Sequence, residues 1–278
     1  MNKLGLVAGG GDLPLSLAAH CERTGRPFHV VRLRGFADPA LQRYPNSEAG
    51  VAEIGKVIRQ LKAAGCVSVC FAGYVSRPDF ASLKPDLRGL AAMPGLIRAA
   101  RDGDDALLRR LLQEFEKDGL IIEGAHEVTD DLLLPNGPLG RLAPGPEHLI
   151  DIERAIGVAR SIGAMDVGQA AVSCRGLVLA VEAQEGTDAM LRRVRDLPEA
   201  IRGSPAARQG VLAKAPKPAQ ELRVDLPTIG VATLDNAAAA GLAGVVGEAG
   251  RVLLVNRDAV ARRADELGLF VFGVEASG

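Results

Sequence analysis

Aromatic side chains are scarce in this 278-residue chain: they make up 3% of it, with no tryptophan and two tyrosines. Proteins that bind single-stranded nucleic acid stack the bases on such side chains, so the scarcity argues against that class. Charge of one sign is also lacking, since 33 Lys and Arg face 34 Asp and Glu, for a formal net charge of −1. No broad basic surface is predicted, and we expect no nucleic-acid partner.

Long apolar runs are missing as well. No stretch reaches the roughly 18 uninterrupted apolar residues of a membrane span. The apolar run near the N-terminus is broken at Gly9, too early for a signal peptide. We therefore expect a cytoplasmic protein, with any membrane contact peripheral.

Several catalytic signatures are also absent. The chain has no P-loop, no G-x-S-x-G elbow, no kinase motifs, and no Asp-x-His followed by Gly-Asn-His as in metallophosphatases. The four histidines are scattered without ligand spacing, and the four cysteines form no CxxC pair. We interpret the cysteines as reduced, structural core residues.

The first part of the chain alternates strand and helix patterns. Strands are predicted at 4–8, 28–33, 66–72 and 119–123, and helices at 13–23, 51–63 and 106–116. This alternation is typical of a parallel sheet covered by helices, and it predicts an α/β, Rossmann-like N-terminal domain over residues 1–131.

A Pro- and Gly-rich stretch follows, and we predict a linker over residues 132–147. Residues 148–278 are predicted to form a C-terminal α/β (α+β) domain. Its predicted helices lie at 148–162, 188–195, 237–243 and 258–267, and its strands at 169–173, 177–181, 252–255 and 270–272. The first two of these strands, joined around Arg175-Gly176, predict a hairpin.

A glycine loop, Gly9-Gly10-Gly11-Asp12-Leu13-Pro14, stands between the first strand and the first helix. Glycines at that place let backbone N–H groups and the helix N-terminus approach a phosphate. The G-x-G-x-x-G fingerprint is only half met, because Pro14 takes the place of the third glycine. A nucleotide or phosphate contact, a tight turn without ligand, and an NAD site all stay open.

Gly73 and Tyr74 follow another predicted parallel strand. Ligands of open α/β sheets bind beyond the carboxyl ends of the strands, so both residues are expected to face the crevice of the glycine loop. The alternative is that Tyr74 merely covers the end of the sheet.

Three carboxylates and a hydroxyl lie between a strand and a helix in the second half: Glu182, Glu185, Asp188 and Thr187. Such oxygen ligands suit a hard cation such as Mg²⁺. Thr187 and Asp188 alternatively form only a helix cap and its first turn.

The segment 214–228 combines cations, prolines and an acid. Lys214, Lys217 and Arg223 can clamp a diphosphate, and Asp225 can bind a metal or accept a proton from water. A solvated surface loop is the alternative.

Four segments together give the chain a family resemblance: 4–14, 103–109, 181–190 and 214–227. In this order they resemble the LpxI-type UDP-2,3-diacylglucosamine diphosphatases of lipid A biosynthesis, over essentially the whole chain. The resemblance implies Mg²⁺-dependent hydrolysis of UDP-2,3-diacylglucosamine to UMP and 2,3-diacylglucosamine 1-phosphate (lipid X), with water attacking the sugar-side phosphorus. It also implies substrate held between two domains.

The resemblance implies that Asp225 is critical for turnover, as a magnesium ligand or as the base for water, whereas Glu221 receives no role. We further expect Glu185 to bind the metal, and ten residues to bind substrate: Gly10, Gly11, Leu13, Gly73, Tyr74, Thr187, Asp188, Lys214, Lys217 and Thr228. Transient contact with the inner membrane and a homodimer are compatible with this reading. The alternatives are an NADP-linked oxidoreductase that uses Arg32 or Arg34, and a non-catalytic nucleotide-sugar binding protein.

Overall fold

The chain is described here from a computed structural model that covers residues 2–75, 83–218, 221 and 223–275. Contacts divide it into two units. The first comprises Met1–Asp130 and Glu221–Asp225, and the second comprises Asp131–Gln220 and Leu226–Gly278. No helix within the described ranges combines the length and apolarity that crossing a bilayer requires.

The first unit is built on a five-stranded, fully parallel sheet in the order β3-β2-β1-β4-β5. Its strands are β1 (Leu4–Ala8), β2 (Phe28–Leu33), β3 (Asn46–Ala49), β4 (Ser68–Ala72) and β5 (Ile121–Ile122). Its helices are α1 (Leu13–Thr24), α2 (Ile54–Ala63), α3 (Leu87–Asp102), α4 (Asp104–Glu116) and α5 (Ala125–Val128). The predicted Rossmann-like α/β class is confirmed.

Burial on both faces of this sheet explains its sequence pattern. All five residues of β1 are buried, as a continuous apolar run in a parallel sheet requires. Helix α4 packs Leu112 and Phe115 into the core.

All four cysteines are buried and none is in a disulfide, and burial raises the pKa of the Cys70 thiol. The prediction of structural thiols agrees with this placement.

The second unit contains a six-stranded sheet in the order β6-β15-β13-β11-β7-β8. Its strands are β6 (Gly137–Pro138), β7 (Ala170–Cys174), β8 (Leu177–Val181), β11 (Val211–Lys214), β13 (Gly244–Glu248) and β15 (Phe270–Val274). Two small pairs stand apart: β9 (Gly203–Ser204) with β10 (Ala207–Arg208), and β12 (Thr228–Ile229) with β14 (Leu253–Leu254). The helices are α6 (Leu149–Ala164), α7 (Gly186–Arg195), α8 (Glu199–Arg202), α9 (Val231–Ala239) and α10 (Arg257–Leu267).

The predicted hairpin of β7 and β8 is confirmed. Arg175 and Gly176 have φ of 52° and 74°, which fits a two-residue turn with both central residues in the left-handed region. The buried carboxylate of Asp151 accepts hydrogen bonds from both of their N–H groups and from the Ser173 hydroxyl. This carboxylate fixes the turn and the pairing of the two strands.

Some elements of the second half lie at other residues than predicted. The predicted helix at 237–243 lies instead at Val231–Ala239, and the buried strand β13 starts at Gly244. The stretch predicted as a linker contributes β6, which pairs with β15, and the buried side chain of Leu134. The strand β11 was not predicted at all, although it lies between β13 and β7 in the middle of the sheet.

Candidate functional site

The loops after β1 and β4 meet at one end of the first sheet. Because the chain runs from β1 outward to β3 and then returns to the other side of β1, the carboxyl ends of β1 and β4 flank the topological switch point. Ligands of open α/β sheets bind at this place. The N–H of Gly10 donates to the carbonyl of Tyr74 (2.8 Å), and the N–H of Tyr74 donates to that of Gly10 (3.0 Å). The structure thus brings the glycine loop and Gly73-Tyr74 together.

Glycine is needed in these loops for steric reasons. A Cβ on Gly10 would lie 2.8 Å from the Tyr74 ring, and a Cβ on Gly9 would lie 2.6 Å from the Tyr74 carbonyl oxygen. Gly73 has φ of +85°, and its Cβ would lie 2.3 Å from the Gly10 oxygen. Close backbone pairing therefore accounts for these three glycines without a ligand.

Two amides of the glycine loop are nevertheless available to a ligand. The N–H of Gly9 donates to the Ala72 carbonyl, but no described residue accepts a hydrogen bond from the N–H of Gly11 or Asp12. These two groups precede α1, whose N-terminus favours negative charge. Leu13, half-buried, begins that helix. This end of the first unit can therefore bind a phosphate or a hydroxyl group.

A second polar group lies at the carboxyl ends of β8 and β11. Lys214, the last residue of β11, pairs in register with Ala170 of β7, and the N–H of Glu182 donates to the Ala170 carbonyl (2.8 Å). Residues side by side on neighbouring strands point to the same face of a sheet. The small alanine between them leaves room for the long side chains of Lys214 and Glu182, which are only 4% and 6% exposed.

The Lys214 ammonium has few partners within the protein. Its Nζ donates to the Thr228 carbonyl (2.9 Å), the one acceptor that the described residues offer it. Burial lowers the pKa of Lys214, while the charges of Glu182 and Asp188 raise it. An ammonium has three N–H donors, so two are left for a ligand.

Glu182 organises the start of α7. It accepts a hydrogen bond from the Thr187 hydroxyl (2.7 Å) and one from the N–H of Gln169 (3.2 Å). The side-chain oxygen of Gln169 is buried and has no partner in the described part of the chain. Asp188 accepts from the Asn236 amide (3.0 Å). Thr187 is not a helix cap, because α7 begins at Gly186 and no side chain caps it, but Asp188 does lie in the first turn of that helix.

Two other predicted residues have partners of their own. Lys217 forms an ion pair with Asp166, with 2.6 Å between Nζ and Oδ1. Glu185 is exposed and ion-paired with Arg193. Thr228, the first residue of β12, contributes its carbonyl to Lys214. The structure therefore brings Lys214, Thr187, Asp188 and Thr228 together in the second unit.

Asp225 belongs to a short segment that packs with the first unit. Residues 221–225 come from the second half of the chain, but their contacts place them in the unit of Met1–Asp130. The N–H groups of Val224 and Asp225 both donate to the Glu221 carbonyl, at 3.0 and 3.1 Å, and form a tight turn. Val224 packs against the core of the first unit.

This segment is anchored to α4. The N–H of Glu221 donates to Asp105 Oδ1 (2.6 Å), at the start of that helix. Arg223 pairs with Glu221 (2.8 Å) and with Glu116 (3.1 Å). The hydrogen bond from Arg223 lowers the pKa of Glu221, so this carboxylate stays ionised. Glu221, to which the sequence assigned no role, is an anchor of the turn that presents Asp225.

No closed metal cage is formed by the described residues. Within them, no three His, Cys, Asp or Glu side chains are placed to hold an ion. The carboxylates of Glu182, Glu185 and Asp188 each have partners in the protein. Mg²⁺ in phosphoryl-transfer sites keeps several waters and takes only one or two carboxylates with the phosphates of the substrate. An Mg²⁺ ion bound beside these residues would therefore need ligands from the substrate and from water.

Sequence reasoning missed Asp105, Glu116, Gln169 and the placement of Glu182 near Lys214. This placement depends on the register of β7, β8 and β11, and β11 itself was not predicted. Asp104 and Asp105 are acids in the first turn of α4, a place where the helix dipole alone accounts for them. Nothing in the sequence indicates that Asp105 binds a segment so distant along the chain.

The fold and these polar groups define an α/β protein of two units, with candidate binding residues at strand ends in each unit. Comparison with known families makes this specific. Residues 3–132 match the LpxI N-terminal domain, and residues 135–272 match the LpxI C-terminal domain. The chain therefore belongs to the LpxI family, and the resemblance noted from its motifs is confirmed.

Two individual proteins illustrate the range of the matches. The chain is 66% identical over 275 residues to the UDP-2,3-diacylglucosamine pyrophosphatase LpxI of Caulobacter vibrioides, which covers 99% of this chain and 98% of that protein. Among solved structures, CobK precorrin-6A reductase matches with 13% identity over 100% of this chain and 89% of its own, at a TM-score of 0.34.

Proposed function

We propose that this protein hydrolyses the diphosphate bond of UDP-2,3-diacylglucosamine and releases UMP and 2,3-diacylglucosamine 1-phosphate, in lipid A biosynthesis. The name of the Caulobacter relative supports the substrate. The observation in the structure that carries the proposal is the buried Lys214, which has two N–H donors without a described acceptor. A buried, partly unpartnered cation suits the charge of a diphosphate.

Lys214 is the proposed phosphate ligand of the second unit, with Thr187 and Asp188 beside it. In a site shielded from water, a fixed cation stabilises the charge that develops on a transferring phosphoryl group more than it would in solvent. Glu182 is a positioning residue, because it holds the Thr187 hydroxyl and supplies a negative charge near Lys214.

The glycine loop is the proposed contact for the uridine or sugar part of the substrate. The N–H groups of Gly11 and Asp12 can donate to ligand oxygens, and the exposed ring of Tyr74 offers an apolar surface for a base or sugar. Gly10 and Gly73 act in this proposal by allowing Tyr74 to lie close to the loop.

Asp225 is the proposed catalytic residue. Its carboxylate either takes a proton from the attacking water or holds Mg²⁺ together with the phosphates of the substrate, and the ion would neutralise phosphate charge. We propose that water attacks the phosphorus nearer the sugar. The proposal does not extend to Glu185 as a metal ligand, because Arg193 already occupies its carboxylate.

The reaction is tested by measuring UMP release from UDP-2,3-diacylglucosamine in detergent, with and without Mg²⁺. We expect the wild type to release UMP and Asp225→Ala to lose about 100-fold or more of the rate, the usual effect of removing an acid–base group. Asp196→Ala, at an exposed aspartate of the second unit, is the matched control. Undiminished turnover by Asp225→Ala would remove the catalytic assignment.

Hydrolysis in ¹⁸O-labelled water tests the position of attack. Attack on the sugar-side phosphorus places the label in the lipid 1-phosphate, whereas attack on the other phosphorus places it in UMP. Mass spectrometry of both products distinguishes them.

The structure argues against the NADP-linked alternative. Arg32 Nε donates to Asn46 Oδ1 and Arg34 Nε donates to Glu48 Oε1, both at 3.0 Å. The two arginines expected to bind a 2′-phosphate are thus already paired with residues of β3.

A further inference from the structure

Helix α3 exposes an apolar face. Leu87, Leu90 and Ile97 are 88%, 60% and 36% exposed, which is unusual for large apolar side chains on one helix. At about 100° per residue, these three side chains and Pro94 fall on one side of the helix. The opposite side packs on the first unit through small and apolar residues such as Ala92 and Leu96.

Two arginines continue this face toward the end of the helix. Arg98 and Arg101 lie on the same side as Leu87 and Pro94 by their spacing, and both are exposed. Neither forms an ion pair or hydrogen bond with another described residue. By contrast Arg88, on a different side of the helix, is paired with Glu114 and Asp118.

We propose that this face of α3 docks on an anionic lipid bilayer. A helix that combines an exposed apolar strip with unpaired cations lies in the membrane interface, with its apolar side chains among the acyl chains and its cations at the phosphates. Leu87 and Leu90 are the inserted side chains, and Arg98 and Arg101 contact the headgroups. The unpaired positive charge favours a lipid surface over a second copy of this chain, whose identical face would bring like charges together.

The proposal is tested by sedimentation of the full chain with vesicles, without substrate. We expect binding to vesicles of phosphatidylglycerol and phosphatidylcholine and little binding to phosphatidylcholine alone. Arg98→Gln and Arg101→Gln should each weaken binding about fivefold. Leu87→Ser with Leu90→Ser should abolish it. All four changes lie on the surface, and circular dichroism melting checks that the fold is kept.

Leu149→Ser with Ile150→Ser is the matched control, since these two side chains of α6 are comparably exposed in the second unit. Binding lost equally in this control, or equal binding to neutral vesicles, would overturn the proposal. Light scattering that shows a dimer in the wild type and a monomer in Leu87→Ser with Leu90→Ser would assign the face to a second copy instead.

Hydrolysis in detergent separates this proposal from the proposed function. We expect the α3 variants to retain UMP release there, because none of these residues is in the proposed site. A parallel loss of hydrolysis and vesicle binding would assign the face to the acyl chains of the substrate and contradict the docking proposal.

Discussion

Lys214 and Glu182 show how one small residue shapes a site. Ala170 stands between them in the sheet and lets two long, opposite charges approach on one buried face. A buried cation is costly unless charges and hydrogen bonds compensate for its lost hydration. The compensation comes from Glu182, Asp188 and the Thr228 carbonyl, but burial still lowers the pKa of Lys214 below its ordinary value.

The pH dependence of UMP release should depend on the charge of Glu182 near Lys214. Glu182→Gln keeps an acceptor for Thr187 but removes the charge that raises the pKa of Lys214, so that pKa falls. Lys214 then loses its proton at lower pH, and the alkaline fall in UMP release should move in the same direction. Glu185→Gln, at an exposed residue of the same segment, serves as control. An unchanged alkaline limb in Glu182→Gln would contradict the proposed role.

Glu114 should make a pH-dependent contribution to stability. Burial alone would raise its pKa, but hydrogen bonds from Lys117 and Arg110 outweigh burial and lower the pKa to about 2 from 4.5. Since the folded pKa is depressed, this stabilisation is present above about pH 4.5 and is lost as the pH falls toward 2.

The variant Glu114→Gln should therefore be less stable by about 3 kcal/mol at pH 6, with a difference from wild type that shrinks below pH 4.5. Urea unfolding at pH 6, 4 and 3 measures this difference. A difference that is constant over this range would show that charge on Glu114 does not cause it.

At the scale of elements, the start of α4 positions the turn of residues 221–225. Asp105 accepts the N–H of Glu221 and pairs with Arg109, so its carboxylate joins the helix to the turn that carries Asp225. A displacement of a catalytic group by about 1 Å is enough to slow an enzyme strongly. The effect of Asp105 on turnover should accordingly exceed its effect on stability.

Asp105→Ala should reduce the kcat of UMP release about tenfold or more. The substitution should cost about 1–2 kcal/mol of stability, because it removes a first-turn acid, the acceptor of the Glu221 N–H and the partner of Arg109. Asp258→Ala removes the first-turn acid of α10 and serves as the control for losing a negative charge at a helix N-terminus. Equal kcat values in Asp105→Ala and the wild type would exclude a positioning role.

Elements with a clear periodic pattern were predictable, and elements defined by their neighbours were not. The apolar stripe of α4 and the turn residues of the β7–β8 hairpin identified both elements from sequence. The strand β3 has no apolar alternation, and the interior of α3 contains glycine and proline. Their secondary structure depends on pairing and packing with distant segments, which local sequence does not encode.

At the scale of the whole molecule, the predicted α/β class with a Rossmann-like N-terminal part is confirmed. The candidate site was predictable where residues are close in sequence, as with Thr187 and Asp188. It was not predictable where the chain returns to the first unit at Glu221 and leaves it again after Asp225. That return is a property of the tertiary fold alone.

Val224→Ala should destabilise the first unit specifically. The substitution removes part of a side chain that packs on the core of that unit, at an expected cost of about 1 kcal/mol. Hydrogen exchange should show lower protection in β1, β2 and β4, with β7, β11 and β13 less affected. Loss of protection confined to the second unit would contradict the placement of this segment.

The passage of residues 221–225 into the first unit also limits how such a protein could arise or be rearranged. If the gene were split between the codons of Asp130 and Asp131, the first unit would lose Val224, which packs on its core. It would also lose Asp225, the proposed catalytic acid. Exchange of either half with an unrelated partner by recombination would therefore leave both products incomplete. The two halves are expected to be inherited together, as a single evolutionary module.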